Sequence, residues 1–365
     1  MKKPIFIPIF LFGFLFLLSS VRGQDPNYSQ FFSTPLYYNP AYTGINTGVR
    51  ARFTFRDQWP NLPVDFRSYY FSADLGDRNL PGSGGLGLIV NSDNEGIGFI
   101  KNLSVGLSVG VRIPISATVV SQVGIKAAVV QKTLNWDDFV FSDQLSEKYG
   151  NIYQSGFVPP TGNKKVFPDF GAGGLLQFAN PEGNVTGVAG FAVDHIFRPD
   201  EAFLSTASAP LPRKYVAHLD IVIAAGGGSS SSMYASGGTN DPLKINPGII
   251  YQNQNKMNSL EVGFNMLKYN IYLGAWYKAG LNNNASSAIA LVAGYRYTFA
   301  EDMSIKFMYS YDLMTLGSMQ GLGGAHEISL ILEFDKLTIF GGGGGVNTPG
   351  RSMRSNSALE CPSFY

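Results

Sequence analysis

Residues 303–312 read Met-Ser-Ile-Lys-Phe-Met-Tyr-Ser-Tyr-Asp. Ile305, Phe307, Tyr309 and Tyr311 take alternate positions, with Ser304, Lys306, Ser310 and Asp312 between them. An extended strand places successive side chains on opposite faces, so this stretch has one greasy side and one polar side. Residues 260–266 repeat the pattern, Leu260, Val262, Phe264 and Met266 alternating with Glu261, Gly263 and Asn265. Working outward, similar short stretches continue from about Thr47 to Phe334, each closed by glycine, proline, asparagine or aspartate. A period of two kept up over most of a chain is the signature of an antiparallel β-sheet closed in a membrane.

Candidate strands lie near 47–57, 64–75, 84–92, 100–113, 117–133, 167–178, 184–196, 214–225, 243–252, 257–267, 270–279, 287–299, 302–313 and 324–335. Each is close to or above the roughly 9–11 residues a tilted strand needs to cross the hydrocarbon layer. The expected fold is therefore all-β, a transmembrane antiparallel β-barrel of outer-membrane type with about fourteen strands. An even count returns both barrel ends to one side. Alternation alone would also suit a soluble two-sheet sandwich. Aromatic residues toward strand ends, among them Tyr69, Tyr70, Trp276, Tyr277, Tyr295 and Tyr297, favour the membrane, where they form interfacial girdles.

The amino terminus agrees. Lys2 and Lys3 precede an apolar run from Pro4 to Leu18, followed by Ser19, Ser20, Val21, Arg22 and Gly23. That run is shorter than the roughly 20 residues of a membrane-spanning helix, so 1–23 reads as a cleaved signal peptide leaving Gln24 first. The 27 basic and 26 acidic residues nearly cancel, which argues against nucleic acid as a partner. The single cysteine, Cys361, has no partner for an internal disulfide.

With the barrel ends in the periplasm, alternate connections should be tight, as at Pro114-Ile115-Ser116, Pro181-Glu182-Gly183, Lys268-Tyr269 and Ala300-Glu301. The outer set should be long, as at 134–166, 197–213, 280–286 and 314–323. Two connections depart from this: a long Gly/Ser-rich stretch over 226–240 on the inner side and a very short link at 253–256 on the outer. Outside the expected barrel at 47–335 lie a periplasmic aromatic segment or plug at 24–46 and a glycine-rich periplasmic tail at 336–365. The first is too polar to cross lipid and too aromatic to be an idle tail, so it should dock on the periplasmic mouth of its own barrel or on a partner.

Face assignment follows from the period. Val49, Ala51, Phe53 and Phe55 should meet lipid, and Arg50, Arg52, Thr54 and Arg56 should point inward, because arginine facing lipid at mid-depth costs about 2–4 kcal/mol. In the last strand Ile328, Leu330, Leu332 and Phe334 face out, with Glu327, Ser329 and Glu333 inside. First and last strands must pair to close the barrel, so Arg50 or Arg52 can meet Glu327 or Glu333 at that seam.

Chemical motifs are weak. Gly82–Gly87 matches a dinucleotide fingerprint by letter but lacks the strand, turn and helix around it. Asn91–Gly96 resembles half a calcium loop, with Asn102 where glutamate should close it. Asp194-His195 and His326-Glu327 are sequence neighbours, which project to opposite faces of a strand and cannot form a dyad within either pair. No nucleophile elbow or zinc-protease pattern occurs, so no catalytic residue, cofactor or metal is expected.

Three segments carry a family resemblance: QFFSTPLYYNPAYTG at 30–44, Arg56-Asp57-Gln58-Trp59-Pro60 after the first strand, and Gly324-Ala325-His326-Glu327-Ile328-Ser329-Leu330 in the last. Together they resemble the PorP/SprF family of the type IX secretion and gliding-motility machinery of Bacteroidetes. Asp57 stands where that family often has asparagine. The resemblance implies a non-enzymatic outer-membrane barrel whose partners are the C-terminal domain of a secreted protein, such as a large surface adhesin, or subunits of the periplasmic ring. Tyr37, Tyr38, Asn39, Tyr42, Trp59 and Trp136 are the expected partner-binding residues. Barrels of this size also serve as channels for small or hydrophobic solutes, a second reading the sequence leaves open.

Overall fold

The computed structural model describes residues 25–335 and Leu337, apart from residues 65, 78–83, 97–99, 137–138, 159–161, 183, 204–207, 226–241, 282–286, 301 and 317–321. The expected leader, nearly all of the glycine-rich tail with Cys361, and the 226–240 stretch lie outside the described residues. Strands β1 (Gly48–Gln58), β2 (Phe66–Gly76), β3 (Gly85–Glu95), β4 (Ile100–Pro114) and β5 (Val119–Leu134) lead into a long loop. In that loop β6 (Leu145–Ser146) and β7 (Gly150–Asn151) make a two-rung hairpin. The wall resumes with β8 (Lys164–Ala179), β9 (Val185–Asp194), β10 (Lys214–Ala225), β11 (Leu243–Gln254) and β12 (Met257–Lys268). It ends with β13 (Ile271–Gly280), β14 (Ser287–Ala300), β15 (Met303–Leu316) and β16 (Ala325–Phe334).

All of these except β6 and β7 form one closed antiparallel barrel of fourteen strands. Closure is physical necessity in lipid, where an unpaired strand edge would leave backbone amides without partners. β1 and β16 supply it, with Val49 opposite Phe334 at one end and Gln58 opposite Ala325 at the other. The mouth where β1 starts and β16 stops is the terminal mouth; the opposite one, carrying the 135–163 loop, is the loop mouth. Both irregular connections stand. β11 and β12 are joined at the loop mouth by Asn255 and Lys256 alone, Asn255 having a φ of 56°. Across the terminal mouth, β10 ends at Ala225 and β11 starts at Leu243.

The outer face is apolar along whole strands. On β4, Leu103, Val105, Leu107, Val109, Val111 and Ile113 are all exposed at alternate positions. Tyr295, Tyr297 and Phe299 lie at the terminal-mouth end of this face, and Phe191, Tyr251 and Tyr277 toward the loop mouth. Inward positions are buried, including Arg50, Arg52, Thr54 and Arg56 on β1 and Glu327, Ser329 and Glu333 on β16.

What buries them is the amino-terminal segment. Residues 28–46 are without exception buried, and they fill the lumen as a plug. The barrel begins and ends at the terminal mouth, but the described chain starts at the loop mouth. There the Asp25 amide donates to Gln254 at the end of β11. From that point the segment descends to Gly48, where β1 begins. The lumen is accordingly not polar throughout. Tyr28, Phe31, Phe32, Leu36, Tyr38 and Tyr42 join Leu175, Val216, Ile250, Trp276 and Met308 of the wall in one buried apolar cluster.

The apolar outer face predicts a penalty for a charge placed on it. Leu107→Arg, at a position 65% exposed in the middle of β4, should cost about 2–4 kcal/mol. The check is urea unfolding of the barrel in lipid vesicles, with Lys256→Arg in the short loop-mouth turn as the control that shifts nothing.

Candidate functional site: the lumen plug and its seam hub

Local chemistry explains the path of the plug. Pro35 opens a single α-turn, Pro35–Tyr38, where its missing N–H costs nothing and its fixed φ suits the first helical position. Asn39 is extended, and its side-chain oxygen accepts from the Ala41 amide at 2.9 Å, capping the 3₁₀ turn Pro40–Tyr42. The other end of the same amide donates to the carbonyls of Gly174 (3.2 Å) and Phe191 (3.4 Å), fixing the turn to β8 and β9. At Gly44 φ is +66°, and a Cβ there would stand 2.4 Å from the Cα of Gly85. Backbone conformation and space both require glycine. The wall makes matching room: a Cβ on Gly173 would sit 2.0 Å from the Asn39 oxygen, and one on Gly124 2.4 Å from the Pro40 carbonyl.

Rings pack edge to face along the plug, Tyr28 against Tyr37 and Tyr37 against Tyr38, each with centroids 5.1 Å apart. Lys214 Nζ lies 4.2 Å above the Tyr37 ring, and Tyr42 stacks on His218 at 5.4 Å. Tyr37, Tyr38, Asn39 and Tyr42 are therefore covered by their own barrel. In this conformation they offer no surface to a second protein.

Arg56 organises the hub beside the seam. Its guanidinium donates to Glu327 (3.0 Å), to Asp312 (2.9 Å) and to the Ser29 hydroxyl (2.7 Å). Glu327 in turn accepts from the backbone amides of Ser29 (2.8 Å) and Gln30 (2.9 Å). The Ser29 hydroxyl donates to Asp312 at 2.7 Å, and the Gln30 side chain donates to the Glu327 carbonyl and to Ser310. Lys278 on β13 completes the group, 3.5 Å from Asp312. Nearby, the Trp59 amide donates to the Gly324 carbonyl at 2.7 Å, tying the loop after β1 to the start of β16. Each of the three segments singled out in the sequence thus contributes to one junction of plug and seam.

The other seam charges divide differently from expectation. Arg50 lies opposite Glu333, Nε to Oε1 3.6 Å, and also reaches Asp335 at 2.6 Å. Glu333 is shared with Lys306 (3.0 Å) and Arg296 (3.2 Å). Arg52 meets neither seam acid. It pairs with Asp74 of β2, because on its inward-facing row Asp74 is the nearest acid, and Asp74 also accepts from the Gly44 amide of the plug. Arg56, not proposed for that contact, takes Glu327.

A second junction at the loop mouth holds the first described residues of the plug. His195 lies just past β9, between Asp169 of β8 (3.0 Å) and Asp25 of the plug (2.9 Å), with Lys214 3.6 Å from Asp25. Burial disfavours a charged imidazole, but Asp25 and Asp169 outweigh it and push the His195 pKa up to about 10. Burial also opposes ionisation of Asp25, yet His195 and Lys214 hold its carboxyl well below the usual carboxylate range. No sequence spacing pointed to this latch, since Asp25, Asp169 and His195 come from three distant places. Above it the loop mouth opens into a vestibule of about 580 Å³ lined by Gln58, Trp59, Phe66, Lys132, Glu201 and Phe203, among others.

Asn91, Asp93 and Glu95, of the suspected half calcium loop, are consecutive inward residues of β3. Among the described residues, no group of three or more histidine, cysteine or acidic side chains is arranged to hold a metal ion, and no helix is long and apolar enough to cross a membrane.

The family model described as type IX secretion system membrane protein PorP/SprF matches residues 20–332. The chain belongs to the PorP/SprF family. All three motifs lie within that match, and so do both plug junctions. Solved outer-membrane barrels are among the distantly similar structures. A Pseudomonas aeruginosa FadL homologue is 14% identical over 83% of this chain and 94% of its own, TM-score 0.44. A deletion mutant of the monoaromatic hydrocarbon channel TodX is 12% identical over 82% and 94%, TM-score 0.43. Acinetobacter baumannii Omp33 is 8% identical over 80% and 100%, TM-score 0.37. At these identities the likeness concerns the fold alone. A search of curated proteins found no match.

Removing one partner from the hub should be costly because it strands buried charge. Glu327→Ala should destabilise this PorP/SprF barrel by about 3–5 kcal/mol, read as a lower temperature for the heat-induced gel shift. Glu327→Gln, which keeps the shape and one acceptor, should lie in between. The latch should respond to pH. Protonated His195 contributes its full stabilisation below the ordinary imidazole pKa of 6.5 and loses it as pH rises through about 10. The protection factors of the amides in residues 25–30, after correction for intrinsic base-catalysed exchange, should therefore fall between those values, and His195→Gln should abolish that fall.

Proposed function

We propose that this PorP/SprF barrel works as a closed, non-enzymatic docking component of the type IX apparatus in the outer membrane. It binds the C-terminal domain of a secreted surface protein, a large adhesin for example, or subunits of the periplasmic ring. The supporting observation is the filled lumen. A plug with every residue from 28 to 46 buried, bonded to both seam strands, suits a scaffold better than a standing pore. The signal-like leader supports placing the terminal mouth in the periplasm and the 135–163 loop outside.

The outer loop supplies a contact face. Trp136 packs with Phe139 (5.8 Å), Phe157 (5.7 Å) and Phe203 (6.4 Å), so its role is to brace the loop. On that brace Val140, Tyr149, Ile152, Tyr153 and Val158 are all more than half exposed. Exposed apolar and aromatic side chains held on a rigid base are the usual anchors of a protein interface. Trp59, half-buried against Phe66 at 5.0 Å, sits on the vestibule wall beneath.

The native protein in a planar bilayer should show no steady current. From cells it should co-purify with a secreted protein or with ring subunits. Combining Tyr149→Ala, Tyr153→Ala and Val158→Asp should lower recovery of the secreted protein at least tenfold while the gel shift stays normal. A steady open-channel current would favour the channel reading. Recovery of ring subunits alone, undiminished by the loop substitutions, would place the docking face at the terminal mouth.

A further inference from the structure

The plug has a direction. Its first described residues are at the loop mouth, where Asp25 meets His195 and Lys214. Its other end continues without a break into β1 at the terminal mouth. Residues 43 and 44 are fixed there, Thr43 to Ser108 at 2.7 Å and the Gly44 amide to Asp74 at 3.1 Å. We infer that, with the leader 1–23 cleaved as proposed, the new amino terminus is displayed at the loop-side mouth, and that the plug can clear the lumen only by withdrawing that end downward through the barrel.

The geometry carries this. Pulling the segment out at the loop mouth would still leave chain running back down to Gly48. Crossing a hydrocarbon layer of about 25 Å takes about eight extended residues, so the lumen would stay obstructed. Withdrawal at the terminal mouth leaves nothing inside. The released segment, residues 25–46, could then extend roughly 70 Å below the barrel. Such a path must break both the Asp25 latch and the Arg56–Glu327 hub, since the two lie on the same track. The inference concerns the chain's own path and stands whichever partner the barrel docks.

The plug can be followed with one label. Pro26→Cys, made together with Cys361→Ser, introduces a thiol at a residue lining the vestibule, which is then biotinylated in the purified full-length protein. The labelled protein is inserted in one orientation in a planar bilayer. Streptavidin is too large to pass the lumen. Added on the loop-mouth side it should bind without denaturant and suppress the current steps that moderate urea otherwise produces by loosening the plug. Added on the terminal-mouth side it should bind only in urea, and the current should then persist after urea is washed out, the amino end being trapped below. Binding from the terminal-mouth side before urea would overturn the placement of the amino terminus. Urea-induced current unaffected by streptavidin on the loop-mouth side would overturn the direction of exit.

Discussion

Arg56 is the residue on which the inside of this barrel is built. It stands on the first strand, bonds an acid on the last strand and another on the last but one, and shares Glu327 with the backbone of the plug. A guanidinium taken out of water needs planar, charged acceptors on several sides, and the wall supplies them in register. Closing the sheet and seating the plug are therefore one event chemically. The acids that neutralise Arg56 are the acids that order Ser29 and Gln30.

Away from the hub the fit is steric. Gly124 on the wall and Gly85 opposite Gly44 sit where any side chain would strike the plug backbone, and Gly173 where one would strike the Asn39 side chain. Tyr42 and His218 then fill the remaining width by stacking. Such close packing gives the lumen a buried apolar core of its own, enclosed by a wall whose outer surface is lipid-facing. The barrel thus has two hydrophobic surfaces of different kinds, one matched to acyl chains and one matched to its own amino-terminal segment.

Much of the wall was legible in the sequence because the period of two is imposed on every strand by the membrane. The strand count, the alternation from Val49 to Arg56 and the pairing of Arg50 with Glu333 follow from that rule. Strand ends moved by a few residues: β8 begins at Lys164, since polar residues at a loop rim continue the ladder without an apolar signal. Alternation gave the inward face of Arg52 but not which neighbouring strand offers it an acid, Asp74 of β2. The latch of Asp25, Asp169 and His195 was invisible, as no local pattern links residues from a plug and two strand ends. The aromatic richness of 28–42 signalled burial, yet it could not say that the burying surface was the interior of the same barrel.

One consequence concerns the order in which the molecule can be assembled. The hydrogen bonds from Ser29 and Gln30 go to Glu327, nearly three hundred residues later in the chain. During synthesis this aromatic stretch emerges early, yet its acceptor arrives with the final strand. Until then it is a sticky, unsatisfied peptide beside an unfinished cylinder. A periplasmic chaperone has a clear target in that interval, before the acid that orders Ser29 and Gln30 has been made.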